Sequence, residues 1–359
     1  MGLHELTLRD FRLFDEFTLH PDPEAVTVLL SPNGTGKTSV LEAVYALATA
    51  GSFRTTTASD MIRTPHELAE VHGILFQGER RVQVDLTLHR GPRNTTKRML
   101  VNGQRPTSRA DLAEVLPLTV FTPEGVDVVR QGPEHRRALL TNLLTDVSPP
   151  TGDLVERFAK VLQQRNALLR GFQGTYPTSH QREELQVWDA EFCAAAELLV
   201  AARESLLIQL SPLVAHFYQE LAHHTLEVTT DYEKSWSGGI EASLKRALDD
   251  DVRRGYSTVG PHRDDVNLRL NDRDARRQAS QGEQRSLALA LRLAGHELVQ
   301  QQRRLVPLLL LDDVFSELDP MRSNRLLDLL PAGQTLVTTA SPLPEAMSPA
   351  IIVNVSESR

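Results

Sequence analysis

Cysteine is almost missing: Cys193 is the only one in 359 residues. An internal disulfide is thereby excluded, a reducing compartment is implied, and the alanine-rich stretch around it makes packing its expected role. Long apolar runs are scarce as well. The first residues carry Glu5 and Asp10 and no apolar core of a targeting segment, and the uninterrupted apolar runs, residues 308–311 among them, are far too short to span a bilayer. These features predict a soluble, cytoplasmic protein with no membrane partner. Excess positive charge is lacking too. A formal net charge of −8 argues against a surface that coats polyanions everywhere, so any such contact must come from local patches. No repeat or low-complexity tract is present, and the length suits two or three domains with a sizeable core.

What the chain does contain is Ser31-Pro32-Asn33-Gly34-Thr35-Gly36-Lys37-Thr38, set between the apolar run 26–30 and the helical pattern Val40, Leu41, Val44, Leu47. A strand, a glycine-rich turn and a helix start in that order form the context of a phosphate-binding P-loop, here expected to hold ATP. Gly34 and Gly36 let main-chain N–H groups turn toward phosphate oxygens, and the helix N-terminus adds its dipole. Lys37 is expected to reach the β- and γ-phosphates and Thr38 to place its hydroxyl on Mg²⁺, with Asn33, Thr35 and Ser39 completing the turn. Ser31 stands where the usual pattern has its first glycine, so its φ angle is less free and a slightly remodelled loop is expected.

Two further stretches extend this chemistry. Leu308-Leu309-Leu310-Leu311-Asp312-Asp313 reads as a buried strand ending in two carboxylates, a Walker B pattern. Asp312 is expected to hold Mg²⁺, directly or through water. Asp313 is the expected catalytic group that polarises the attacking water; a glutamate is usual there, and the shorter side chain implies slow hydrolysis. Ser280-Gln281-Gly282-Glu283-Gln284 precedes the apolar pattern Leu287, Leu291, Leu298 and so opens a helix, a second N-terminus suited to phosphate.

The rest of the chain divides by pattern into residues 1–132, 133–225 and 226–359. Alternation predicts strands at 3–8, 14–19, 71–76, 82–88 and 98–101, with Asn102-Gly103 as a tight hairpin turn and a buried strand ending near Pro123. Helical periodicity then marks 139–144, 154–169 and 188–210, the last two folding back as a hairpin through the glycines and Pro177 of 171–179. Its arms of about 20 to 30 residues correspond to roughly 30 to 45 Å, and their apolar stripes are expected to face a core. Strand pattern returns at 226–230, followed by a helix to Arg253-Arg254 and a hairpin at Asn271-Asp272. His262, Asp264 and Asp265 suggest a metal site only superficially, since adjacent side chains rarely converge on one ion; a charged turn is the simpler reading. Between Glu79 and Arg109 eight basic residues face two acids: Arg80, Arg81, Arg90, Arg93, Lys97, Arg98, Arg105 and Arg109. This is the candidate DNA face, with a solvated sheet surface as the plain alternative because no aromatics are interleaved.

The order of P-loop, helical insert, Ser-x-Gly-x-Gln, Asp-Asp strand and Ser316-Glu317-Leu318-Asp319 resembles the ABC-type ATPases of DNA repair and chromosome maintenance. Within that group the chain resembles the RecF family over essentially its whole length. The matching motifs are Leu6-x-Leu8-x-Asp10-Phe11-Arg12, Thr38-Ser39-Val40-Leu41-Glu42-Ala43, Phe121-Thr122-Pro123-Glu124-Gly125, Gly132-Pro133 with Arg136-Arg137, Gln164-Arg165-Asn166, and Gly260-Pro261-His262-Arg263-Asp264-Asp265. The Pro-Glu and Gly-Pro-His-Arg stretches are the family-specific ones.

The resemblance implies an α/β fold, an ABC-type ATPase head with a mixed-sheet lobe and a short helical arm in place of a long coiled coil. It also implies an ATP-dependent homodimer in which Ser280, Gly282 and Gln284 meet the γ-phosphate held by Lys37 of the opposite protomer, with Asp319 at the shared interface. Weak DNA-dependent ATP hydrolysis, preference for duplex DNA beside single-strand gaps, a nucleoid location, and work with RecR, RecO and RecA in recombinational repair, replication and the SOS response belong to the same implication. Two departures stand out. No glutamine lies where the strand ending at Phe121 meets the arm, leaving Thr122 or Glu124, and no histidine lies in 335–341. Three other classes compete. A structural tether of the SMC type would need heptads past the short helices. A transporter subunit would need a membrane partner and a P-loop-to-signature separation below the roughly 240 residues found. A metabolic P-loop kinase would work as a monomer without Ser280-Gln281-Gly282.

Overall fold

The computed structural model describes residues 2–222, 226–340, 343–344 and 346–357; the side chains of Arg109, Ala110, Glu317 and Glu357 lie outside the described part. In chain order the elements are β1 (Gly2–Phe11), β2 (Phe14–Leu19), β3 (Val26–Leu30), α1 (Lys37–Thr49), β4 (Leu68–Gln77), β5 (Arg80–Arg90), β6 (Thr95–Val101), α2 (Arg109–Val115), β7 (Leu118–Phe121), α3 (Asp127–Arg130), α4 (Pro133–Val147), α5 (Thr151–Gly171), α6 (Ser179–Ala222), β8 (Val228–Glu233), α7 (Ile240–Arg254), β9 (Asp265–Leu270), β10 (Arg273–Asp274), α8 (Ala275–Gln278), α9 (Gln281–Arg303), β11 (Leu308–Asp312), α10 (Pro320–Leu329), β12 (Thr335–Thr339) and β13 (Ile351–Asn354). By packing they form two units: Met1–Gly125 with Glu220–His223 and Leu289–Arg359, and Val126–Gln219 with His224–Ala288. Residues 226–288 thus pack with the helical segment, along a different line from the three-part division by pattern.

The first unit contains two five-stranded sheets. One is antiparallel in the order β2-β1-β4-β5-β6, and the other is parallel in the order β13-β3-β12-β11-β7. Residues 308–311 are buried throughout, as a parallel strand covered on both faces must be. Helix α1 is buried along nearly all its length, and its Val40, Leu41, Val44 and Leu47 join Leu3, Leu6, Leu8 and Leu75 in one core. That contact explains Gly73, where any Cβ would stand 2.6 Å from a Leu47 methyl. Asn102 and Gly103 do make a tight turn with φ of 50° and 77°, but it closes only the Val101–Gln104 bridge. The chain then enters α2, which periodicity missed because seven residues are too few; a Ser108–Asp111 capping box starts it.

The second unit packs α4–α7 with the small antiparallel sheet β10-β9-β8. Its hairpin of α5 and α6 is longer on one side than the sequence pattern implied. Helix α6 has 44 residues, on the order of 65 Å, and continues through Pro212. The proline removes one N–H, but Leu210, Val214 and Tyr218 are buried on either side of it and packing holds the helix together. By length and composition α6 is also apolar enough to cross a membrane, which uninterrupted runs did not reveal because its leucines and alanines are interspersed with polar residues. In this structure 39 % of the relevant window is buried, and within the same helix Arg203, 4 % exposed, donates to the Pro261 carbonyl at 2.7 Å.

Candidate nucleotide site

In the first unit β3 ends at Leu30 and the chain coils through residues 31–36 into α1, whose first residue is Lys37. The left-handed angles fall on Gly34 (φ 80°) and Gly36 (φ 104°). A Cβ on Gly36 would meet the Phe14 ring at 2.7 Å, whereas one on Gly34 would meet nothing within 4 Å, so the turn is packed beneath and open above. Ser31 demands no left-handed angle. Its hydroxyl donates to Ser356 Oγ at 3.0 Å, close to Asn354 Oδ1.

Lys37 is 6 % exposed and its ammonium donates to the carbonyls of Ser31 and, at 2.8 Å, Pro32. Burial holds its pKa below the usual lysine value, while Asp313 and Asp312 pull the other way. The parallel register sets Asp312 of β11 opposite Thr338 of β12. Thr38 and Thr338 donate their hydroxyls to one oxygen of Asp312, at 2.8 and 2.7 Å. Burial pushes the Asp312 carboxyl above the usual range, the two hydroxyls pull it back, and the nearby Glu124 charge pushes it up again. Asp313 sits in the left-handed region at φ 48°, with its N–H held by the Thr338 carbonyl and hydroxyl. Its Oδ1 is buried with no hydrogen-bond partner among the described residues. Such an oxygen costs on the order of 1–3 kcal/mol when nothing meets it, and the arrangement suits a group that a ligand or its water will satisfy.

Lys37, Thr38, Asp313 and Thr338 line a cavity of about 630 Å³ together with Arg12 and Arg54, and Asp312 lies behind the two threonines. Both guanidiniums are gathered by Glu42, which is wholly buried: Arg12 donates to its two oxygens at 2.8 and 2.5 Å, Ser52 at 2.5 Å and Arg54 at 3.4 Å. The donor set fits a nucleoside triphosphate with Mg²⁺: hydroxyl and carboxylate oxygens for a hard cation, ammonium and guanidinium groups for phosphates. Arg12, Arg54 and Thr338 were not among the expected site residues. One clue was legible, since Glu42 is the lone acid in the otherwise apolar run 40–48 and demands cations.

In the second unit Ser280 begins α9 through a capping box: its N–H donates to Glu283 at 2.7 Å and its hydroxyl accepts the Glu283 N–H at 3.3 Å. Gly282 follows in the first turn. Gln284, 7 % exposed, accepts from Arg130 at 2.9 Å and donates to the carbonyls of Ala275 and Arg276, tying α3 and α8 to the start of α9. In the first unit Asp319 caps α10 by accepting the Arg322 N–H at 3.0 Å. The charged-turn reading of Gly260–Asp265 fits the contacts: His262 meets the Ser257 carbonyl, Asp264 the Tyr232 hydroxyl and Asp265 the Arg136 guanidinium, three different directions.

The basic stretch is spread over more than one face. Pairing of Leu88 with Lys97 and Thr87 with Arg98 puts neighbouring cations on opposite sides of the sheet. Lys97 donates to the Ala50 carbonyl at 2.8 Å and Arg90 to Ser59 at 3.0 Å, while Arg80 and Arg81 open β5 and Arg93 and Arg105 lie in connections. The Arg109 side chain and Ser341 lie outside the described residues.

The family described as the RecF/RecN/SMC N-terminal domain matches residues 2–347. The DNA replication and repair protein RecF of Acidothermus cellulolyticus is 36 % identical over 354 residues, 95 % of this chain and 94 % of that protein. A solved structure of the recombination mediator protein RecF with ATP, of the RecFOR pathway, superposes with a TM-score of 0.88 at 23 % identity, covering 99 % of this chain and 96 % of that one. An Smc head bound to the C-terminal winged helix of ScpA follows at a TM-score of 0.54 and 14 % identity, over 95 % and 90 % of the two chains. The fold is therefore an α/β ATPase head of the ABC and SMC type, with no long coiled coil among the described residues.

Proposed function

Because the chain belongs to the RecF family, we propose that it is an ATP-dependent DNA-binding recombination mediator that closes as a homodimer on duplex DNA beside single-strand gaps. The supporting observation is the cleft in which Thr38 and Asp312 meet at 2.8 Å beside the buried Lys37 and the partnerless oxygen of Asp313.

In this reading Lys37, with Arg12 and Arg54, meets phosphate oxygens, and the turn of Ser31, Asn33, Gly34, Thr35, Gly36 and Ser39 wraps them. Thr38 and Asp312 hold Mg²⁺, which when bound supplies charge neutralisation on the phosphates. Asp313 accepts a hydrogen bond from the attacking water at Oδ1, and the short reach of an aspartate keeps turnover slow. Ser280 and Gly282 offer the helix start of α9 to the γ-phosphate of a second copy, with Asp319 at the same interface and Gln284 bracing the helix from behind. These trans contacts to the γ-phosphate exist only in the closed pair, so hydrolysis removes the differential affinity that keeps it closed. The segment 133–225 then serves as a short arm, and RecR, RecO and RecA are the expected partners in the cytoplasm.

The test is fluorescence anisotropy of a gapped duplex at fixed salt, with ATP, ADP or no nucleotide. ATP alone is expected to tighten binding about tenfold or more, and Lys37→Ala and Ser280→Arg to erase that gain. Affinity that ignores nucleotide in the unaltered protein overturns the reading.

A further inference from the structure

The loop from Gly255 to Asp265, in the second unit, is used by nothing above except as a turn. Gly255 ends α7 at φ 71°, and a Cβ there would stand 3.4 Å from Arg170, so the glycine brings the ends of α5 and α7 together. Tyr256 follows, 36 % exposed. The Arg263 guanidinium lies 5.1 Å from its ring centroid, and the neighbouring Arg254 holds the phenol below its usual pKa. Arg137 of α4 reaches the same loop, donating to the Asp264 carbonyl at 2.7 Å. Burial and the like charges of Arg203 and Arg263 lower its pKa, against the pull of Asp265 and Glu134.

Four of the nearby carboxylates are already engaged. Asp264 accepts from Tyr232 and Ser235, Asp265 from Arg136, Asp251 from Arg165 and Thr258, and Asp250 pairs with Arg253. Among the described residues Arg137, Arg254 and Arg263 form no ion pair. A helix dipole accounts for arginines in the last turn of α7. It does not account for a third arginine laid from a separate turn across an exposed ring, or for a fourth, half-buried, beside like charges.

We propose that Arg254, Tyr256 and Arg263, with Arg137 beside them, form a contact surface for single-stranded nucleic acid. The guanidiniums take phosphates and the tyrosine ring takes an unpaired base, the pairing of cation and aromatic that single-strand surfaces use and that the 80–109 stretch lacks. The inference rests on the DNA-binding reading above and adds where an unpaired strand is held.

The test uses the full chain and three fluorescent probes: an oligothymidine, a gapped duplex and a continuous duplex. The double substitution Arg254→Ala, Arg263→Ala is expected to weaken the first two about tenfold and to lower the slope of log affinity against log salt by about one. Tyr256→Ala is expected to weaken them about fivefold or more while leaving the continuous duplex within twofold, and Tyr256→Phe to stay near the unaltered protein. If the unaltered protein binds DNA and the substitutions change nothing, this surface is wrong and the DNA reading stands. If they weaken all three probes equally, the base contact is wrong. Displacement of the oligothymidine by polyglutamate from the unaltered protein only would assign the patch to an acidic protein instead. If the unaltered protein binds no DNA, the parent reading falls and takes this one with it.

Discussion

Lys37 in the first unit and Arg165 in the second are both buried, and the two are treated in opposite ways. Arg165 of the second unit is wholly buried and meets carboxylates directly, Asp189 and Asp251 at 2.7 Å each, with Ser257 at the same distance. Lys37 of the first unit is nearly as buried but touches main-chain carbonyls, its aspartates acting only from farther off. A charge neutralised by fixed carboxylates ties elements together, here α5, α6, α7 and the loop after it. Lys37, buried without such a partner and facing the cleft, is held ready for an anion that comes and goes. Burial alone therefore does not distinguish Lys37 from Arg165; the nature of their contacts does.

The largest expected effect breaks the structural half of this contrast. Arg165→Ala leaves Asp251, wholly buried, without its counter-charge, and should cost about 3–5 kcal/mol. Both tryptophans, Trp188 and Trp236, lie in the second unit, so their fluorescence during urea unfolding reports the loss there. A loss below about 1 kcal/mol would refute the assignment of Arg165 as a keystone.

A second effect is shared by both units. His262 and His296 are each pushed down to about 4, mainly by burial, from a usual 6.5. Between those values the unfolded chain binds protons that the folded chain refuses, so stability is full above about pH 6.5 and falls as pH drops toward 4. The slope is about 1.4 kcal/mol per pH unit for each histidine. His262→Gln should flatten that slope in the tryptophan signal, and an unchanged slope would show that His262 is not buried neutral.

The smallest effect on stability belongs to Lys37. Lys37→Ala removes a desolvated charge with no direct ion pair, so stability without nucleotide should stay within about 1 kcal/mol. What should vanish is stabilisation by Mg²⁺–ATP, about 2.7 kcal/mol at a hundredfold excess over the dissociation constant. If Lys37→Ala unfolds the first unit instead, Lys37 is structural and the contrast with Arg165 collapses.

Much of this was legible in the chain. The turn from Ser31 to Thr38, the Asp312-Asp313 strand end and the start of α9 at Ser280 were readable because each depends on neighbours in sequence: glycines at left-handed angles, a buried strand ending in acids, a capping residue three positions before its partner. Arg12, Arg54 and Thr338 were not, because they reach the cleft across intervals that no local pattern encodes. Helix α6 ran longer than periodicity suggested because packing on both sides of Pro212 outweighs one lost hydrogen bond. The bare charge count of residues 79–109 hid the strand pleat that sends adjacent cations to opposite faces.

By itself the sequence determined the local chemistry: which turn holds left-handed glycines, which strands alternate, which helix begins with a serine, and which family the chain resembles. Those are matters of φ angles, side-chain period and hydrogen-bonding groups a few residues apart. Only the tertiary structure decided which hydroxyls bracket Asp312, which acid gathers Arg12 and Arg54, and which cation goes without a carboxylate. Such contacts join residues from a dozen to 274 positions apart, and they form only when burial brings the strands into register and removes the water that would otherwise satisfy each group alone.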